Sequence, residues 1–327
     1  MIKLYNELRR NETEEAINGT GESTGLANKN PSSLPLSVFS LLICFTGLVG
    51  NGALFILLRF KVKRNQFILY VINLTVADFI YLVGLSIWML YMFCSLNGLK
   101  SSKIVMKHLA QISDLFYNFG FNTGIYLLTV IGLERCFAVL YPLWYQCHRP
   151  KNLALYISTA LWLLSALVTG LELFICDGEK HYLLQGSENC TNVYFFTSAL
   201  YVIVVLIMLW SSVTLLLDID KAPQHCHSPK LYIIIIASIT IFLVSVVPSR
   251  ILGLLLYFNI LSEKKYLVSI FFITSISSAI NCSANPYIYI VVSKWGGKKS
   301  LKRSLKYMLE NIFKEPTESQ TMATTPM

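Results

Sequence analysis

The chain is 327 residues long, 54% hydrophobic and only 14% charged, with a formal net charge of +9. A soluble domain carries about a quarter charged residues, so this composition excludes an ordinary water-soluble fold. The basic residues cluster beside apolar runs, a pattern of membrane topology that argues against a nucleic-acid partner.

In chain order, residues 1–35 are polar and hold no apolar core of signal-peptide type, so they read as an extracellular N-terminal segment. Asn11 and Asn18 begin N-x-T glycosylation acceptors there. Asn189 begins a third, whose use the sequence leaves open. The same pattern at Asn73 and Asn281 falls inside apolar runs and is out of reach of glycosylation. A membrane span takes about 20 apolar residues of helix. Seven runs meet that need, at about 36–59, 67–93, 108–133, 153–175, 193–217, 231–257 and 267–292. They define one seven-transmembrane domain, 36–293, with the first span serving as an uncleaved anchor.

Arg59, Lys61, Lys63 and Arg64 follow the first span, Arg149 and Lys151 the third, and Lys298, Lys299 and Lys302 the seventh. By the positive-inside rule the N-terminus is extracellular and the C-terminus cytoplasmic, with Lys100, Lys103 and Lys107 as a contrary cluster. Residues 294–327 form a cytoplasmic amphipathic helix and tail. Leu301, Leu305, Met308, Leu309, Ile312 and Phe313 make its apolar stripe, which is expected to lie on membrane lipid. Pro316 ends the helix, and Thr317, Ser319, Thr321, Thr324 and Thr325 follow as candidate phosphate acceptors. The fold class is therefore an all-α membrane protein, a seven-helix bundle with a short amphipathic helix after the last span.

Several spans carry groups that hydrocarbon disfavours: Asn51, Asp78, Asp114, Glu134, Arg135, Asn281 and Asn285. Such groups turn toward the bundle interior and mark functional positions by default. Pro286 removes a backbone donor, and Asn285 is expected to bond to the backbone groups it frees.

These residues also carry a resemblance. Gly50-Asn51, Leu74…Asp78, Glu134-Arg135-Cys136, Trp162, Pro248 and Asn285-Pro286-x-x-Tyr289 occur in the order found in rhodopsin-like (class A) G-protein-coupled receptors, over nearly the whole chain. FNTGIYLLTVIGLERCFAVLYPLWYQCHRPK, residues 121–151, more narrowly resembles the Mas-related subfamily. The resemblance implies a plasma-membrane receptor that converts an extracellular peptide or small charged ligand into activation of a heterotrimeric G protein. It implies an activation switch at Glu134, Arg135, Asn285, Pro286 and Tyr289, with Arg135 paired to Glu134 at rest. It implies arrestin as a partner of the Ser/Thr tail, and a polar core of Asp78, Asn51 and Asn281 with Asp78 as a candidate Na⁺ site. Gly124 stands where that site expects a serine, which weakens it. Ala110 stands where the broader family has its third-span cysteine. The Mas-related bridge between spans four and five fits Cys176 and Cys190, with Cys94 as the rival partner.

Tyr117 precedes Arg135 by 18 residues. Five helical turns of about 3.6 residues put both on one face, about 27 Å apart. Asp114, Tyr117 and Asn118 on that face, with Glu172 and Arg250, form the candidate ligand site. The competing reading is an internal network in which Asp114 or Glu172 neutralises Arg250. Tyr117 replaces the aminergic Asp, Tyr194 replaces an acid used for dications, and Val246 replaces the sixth-span Trp. A monoamine ligand is therefore not expected.

The alternative class is a transporter or channel without G-protein coupling, which needs a lined pore or paired broken helices. An enzyme finds no support: the five histidines form no H-E-x-x-H, and the His225-Cys226-His227 triplet is read as a loop. No cofactor or structural metal is expected.

Overall fold

The computed structural model describes residues 33–62, 65–96, 103–178, 188–221, 229–257 and 264–294. The elements are α1 (Ser33–Phe60), α2 (Gln66–Leu96), α3 (Lys103–Leu140), α4 (Pro142–Cys147), α5 (Leu153–Gly178), α6 (Glu188–Lys221), α7 (Pro229–Tyr257) and α8 (Lys264–Lys294). Each of the seven expected spans lies within one long helix, and the described residues include no strand. The short α4 was not anticipated. Among the described residues, six helices are apolar and long enough to cross a bilayer. The seventh long helix, α8, has 31 residues and so reaches about 46 Å; its serines and asparagines lower its hydropathy. The amphipathic helix expected after α8, and the acceptors Asn11 and Asn18, lie outside the described residues.

The bundle is apolar on the outside as well as the inside. Phe45, Leu163 and Phe174 point outward and are 66%, 67% and 85% exposed. In water such a surface would drive association; facing lipid it is solvated. With no hydrophobic drive between helices in lipid, close packing and internal hydrogen bonds must hold the bundle.

A close backbone-to-backbone contact joins α2 to α3, which run antiparallel. A Cβ at Gly120 would sit 2.5 Å from the Tyr81 nitrogen and 2.8 Å from the Ala77 oxygen. One at Gly84 would sit 2.5 Å from the Tyr117 nitrogen. Both glycines are required because backbone meets backbone, and the Ser113 hydroxyl donates to the Gly84 carbonyl at 2.7 Å. Between these two glycine contacts, Tyr81 packs on Tyr117 with ring centroids 4.8 Å apart.

On the other side of α3, Asn122 donates to Thr169 Oγ1 of α5 at 3.1 Å. Trp162 of α5 donates to Asn73 Oδ1 of α2 at 2.9 Å and packs on Phe119 of α3. Asn73, which cannot be glycosylated in a span, is thus the acceptor for Trp162, and Trp162 ties three helices. Adding a methyl group at Gly120 overpacks a backbone contact, which costs about 1–3 kcal/mol. Gly120→Ala should therefore lower the thermal midpoint of the detergent-solubilised protein. A wild-type midpoint would contradict this register of α2 on α3.

Candidate functional site

The α8 end of the polar core starts from a missing donor. Proline at 286 leaves the carbonyl of residue 282, four back, without its helical partner. The Asn51 amide of α1 donates to that Cys282 carbonyl at 3.0 Å and to the Gly47 carbonyl at 3.0 Å. Asn285 does something else: its amide donates to Asp78 Oδ2 of α2 at 2.7 Å. The expectation that Asn285 would serve the freed backbone is thereby corrected. Asn51 reaches that carbonyl from a neighbouring helix, while Asn285 is turned toward a buried carboxylate. Tyr287 donates to the Thr46 carbonyl at 3.0 Å, completing the α1–α8 seam. Asn281 is half-buried on α8, and Tyr289 is buried. A Cβ at Gly124 would lie 3.6 Å from Asp78 Oδ1, so Gly124 does face the carboxylate, as expected, and brings no hydroxyl to it.

One end of the bundle holds the ionic residues. Glu134 and Arg135 are adjacent on α3 and only 6% and 5% exposed. They do not pair. Arg149 reaches back across α4, and its Nη2 lies 2.7 Å from Glu134 Oε1 and 2.8 Å from Oε2. Tyr145 Oη donates to Glu134 Oε2 at 2.9 Å and accepts from Arg149 Nη1 at 2.7 Å. The Arg149 guanidinium also lies over the Tyr145 ring, 4.4 Å from its centroid. Arg135 instead lays its guanidinium on the Phe67 ring of α2, 3.8 Å from the centroid, and its Nε has no hydrogen-bond partner.

The expected Glu134–Arg135 pair is corrected for a geometric reason. Consecutive residues on a helix point about 100° apart, so a Glu134–Arg135 pair needs both side chains to bend toward each other, and a better-aimed cation takes the carboxylate first. α4 delivers that cation. Pro142 opens α4 as an N-terminal proline, and the His148 amide closes it on the Trp144 carbonyl at 2.9 Å. This single turn places Tyr145 and Arg149 one above the other beneath Glu134. Beside this cluster, α4 leaves Leu143 78% exposed.

The opposite half holds the expected ligand residues. Asp114 is buried on α3, and Tyr117 and Asn118 are half-buried there. Tyr117 stacks with Phe121 at 6.5 Å, and both contact Tyr81, giving an aromatic floor. Glu172 is half-buried on α5, one turn beyond Thr169, at the level of Asn118. Asp114 and Glu172 both have interaction partners. Arg250 lies on α7, but its side chain is outside the described set, as is that of Cys176 on α5. Cys190 of α6 is disulfide-bonded, while Cys44, Cys136, Cys147 and Cys282 are free.

The arrangement is a helix bundle with buried ions at one end and an acidic, aromatic-floored half at the other. The sequence model of the 7 transmembrane receptor (rhodopsin family) matches residues 50–289. The chain belongs to that family. The receptor is 36% identical to the Proto-oncogene Mas of Rattus norvegicus, over 92% of this chain and 90% of that protein. It is 36% identical to the Mas-related G-protein coupled receptor member H of Rattus norvegicus, over 93% and 91%. It is 29% identical to the human Mas-related G-protein coupled receptor member D, over 93% and 92%. It is thus a multi-pass G-protein-coupled receptor of the Mas and Mas-related group, not an enzyme, and a transporter or channel is not favoured.

Sequence reasoning missed Arg149 and Tyr145 as site residues of the receptor. Their spacing of four, just after a proline that can start a helix, was the available signal. Asn285→Ala should leave the buried Asp78 without this donor, at a cost of about 1–3 kcal/mol. The check is the thermal midpoint of the purified receptor, and no change would contradict the assigned bond.

Proposed function

We propose that the receptor takes a cationic peptide or small cationic molecule in the half of the bundle bordered by Asp114, Tyr117, Asn118 and Glu172. The observation that carries this reading is the pair of carboxylates, one buried and one half-buried, above an aromatic floor. A cation meets negative charge there, and ring faces add to its attraction. Arg250 stays in this reading as the sequence places it, one of the candidate ligand-site residues.

The ligand half is extracellular and the Glu134–Arg135 end cytoplasmic, with the N-terminus outside and the receptor in the plasma membrane. Asn11 and Asn18 then carry glycans. The Cys190 disulfide is made with Cys176, which fixes the rim between α5 and α6. A heterotrimeric G protein engages the Arg135 end, where the exposed Leu143 supplies apolar surface. The Ser/Thr tail recruits arrestin, and the segment around Leu301–Phe313 rests on lipid.

Asp78 is a poor Na⁺ anchor in this reading. One of its oxygens already receives Asn285, and Gly124 offers no hydroxyl ligand.

The test is a screen of basic and acidic peptides on cells expressing the receptor, with second-messenger readouts for several G-protein classes. Glu172→Gln should raise the half-maximal concentration of a basic agonist by about tenfold, equivalent to about 1.4 kcal/mol, and leave acidic peptides unaffected. Equal effects on both would sink the charge argument. Arg135→Ala should abolish the response at normal surface expression; an unchanged response would remove Arg135 from the coupling role.

A further inference from the structure

Glu134 has more than one cation within its sequence neighbourhood, and the fold has chosen between them. Its two oxygens receive Arg149 and Tyr145, three hydrogen bonds in all. Arg135, equally buried, has no carboxylate within ion-pair distance among the described residues. It rests on an aromatic face, which attracts a cation but accepts none of its N–H bonds in the way a carboxylate does. A buried guanidinium in that position is readily claimed by any group that offers oxygen acceptors.

The two holders are also tied to each other. Gln66, next to Phe67, donates from its side chain to the Pro150 carbonyl at 3.1 Å, and Pro150 follows Arg149. Asn65 fixes the start of the same helix by accepting from the Ile68 amide at 2.8 Å. The ring under Arg135 and the cation on Glu134 therefore belong to one hydrogen-bonded scaffold formed by the start of α2 and the segment after α4.

We infer that Arg149 is a positioning residue that keeps Glu134 away from Arg135, so that the ligand-free receptor holds Arg135 ready for the G protein. This rests on the assignment of Arg135 to G-protein engagement. Arg149 here favours signalling, where a simple lock on Glu134 would oppose it. With Arg149 gone, Glu134 is a buried carboxylate in need of a cation, and Arg135 is the nearest to turn back to it. The resting receptor then becomes quiet.

The experiment is ligand-independent nucleotide exchange on a panel of heterotrimeric G proteins, in membranes normalised for surface receptor. Arg149→Gln should lower exchange by about tenfold, the effect of a tenfold shift in the resting equilibrium. Arg149→Gln combined with Glu134→Gln should restore it, because no carboxylate remains to capture Arg135; loss of fold alone would not be reversed this way. Tyr145→Phe, which deletes one hydrogen bond at nearly constant volume, gives a smaller decrease and serves if the Arg149 variants do not reach the surface. Raised or unchanged exchange in Arg149→Gln or Tyr145→Phe overturns the inference, as does wild-type exchange no greater than in membranes lacking the receptor. If Arg135→Ala still signals to an agonist, the coupling role of Arg135 has failed instead.

Discussion

A carboxylate shut away from water must be given a cation, and the cation that Glu134 receives is Arg149, not its neighbour Arg135. An Arg–Glu neighbour pair on one helix is cheap in sequence but awkward in geometry. The fold resolves it by sending α3 into a proline-started turn that brings Arg149 back under the carboxylate, with the Tyr145 phenol bracing both partners. Arg135 is thereby left to an aromatic ring. Everything proposed about readiness to signal depends on that exchange of partners.

The same economy governs the rest of the interior. In lipid, each polar group must find its partner inside the bundle. Pro286 frees a carbonyl, and the Asn51 amide from α1 takes it; Asn285 is then available to Asp78. Trp162 and Asn73 satisfy each other across α5 and α2. The glycine contacts at Gly84 and Gly120 let α2 and α3 meet backbone to backbone, so these two helices form one unit that carries Tyr81 with Tyr117 and Phe67 with Arg135. The Tyr81–Tyr117 contact and the cradle of Arg135 are two ends of one seam, so the proposed ligand site would have a material route to the ionic end.

Much of this was legible in the sequence. Apolar runs of span length predict the seven long helices, because a bilayer leaves few other ways to solvate them. The spacing of 18 between Tyr117 and Arg135 predicts one face of α3, and both residues do contact α2. Gly124 was expected to stand at Asp78, and it faces that carboxylate. What could not be read was partner choice. The family resemblance implied Glu134 with Arg135, and Pro286 suggested that Asn285 would bond to the backbone. Both fail because helices present neighbours in different directions, so the winning partners come from other helices or from across a turn. Arg149 looked like one more topological charge until α4 gave it a direction.

The most direct test is a structure of the ligand-free receptor in lipid nanodiscs, without a G protein, resolved at the level of side chains. The account predicts the Arg149 guanidinium on Glu134 and the Arg135 guanidinium over the Phe67 ring. Density joining Arg135 to Glu134, with Arg149 turned out to solvent, would contradict it.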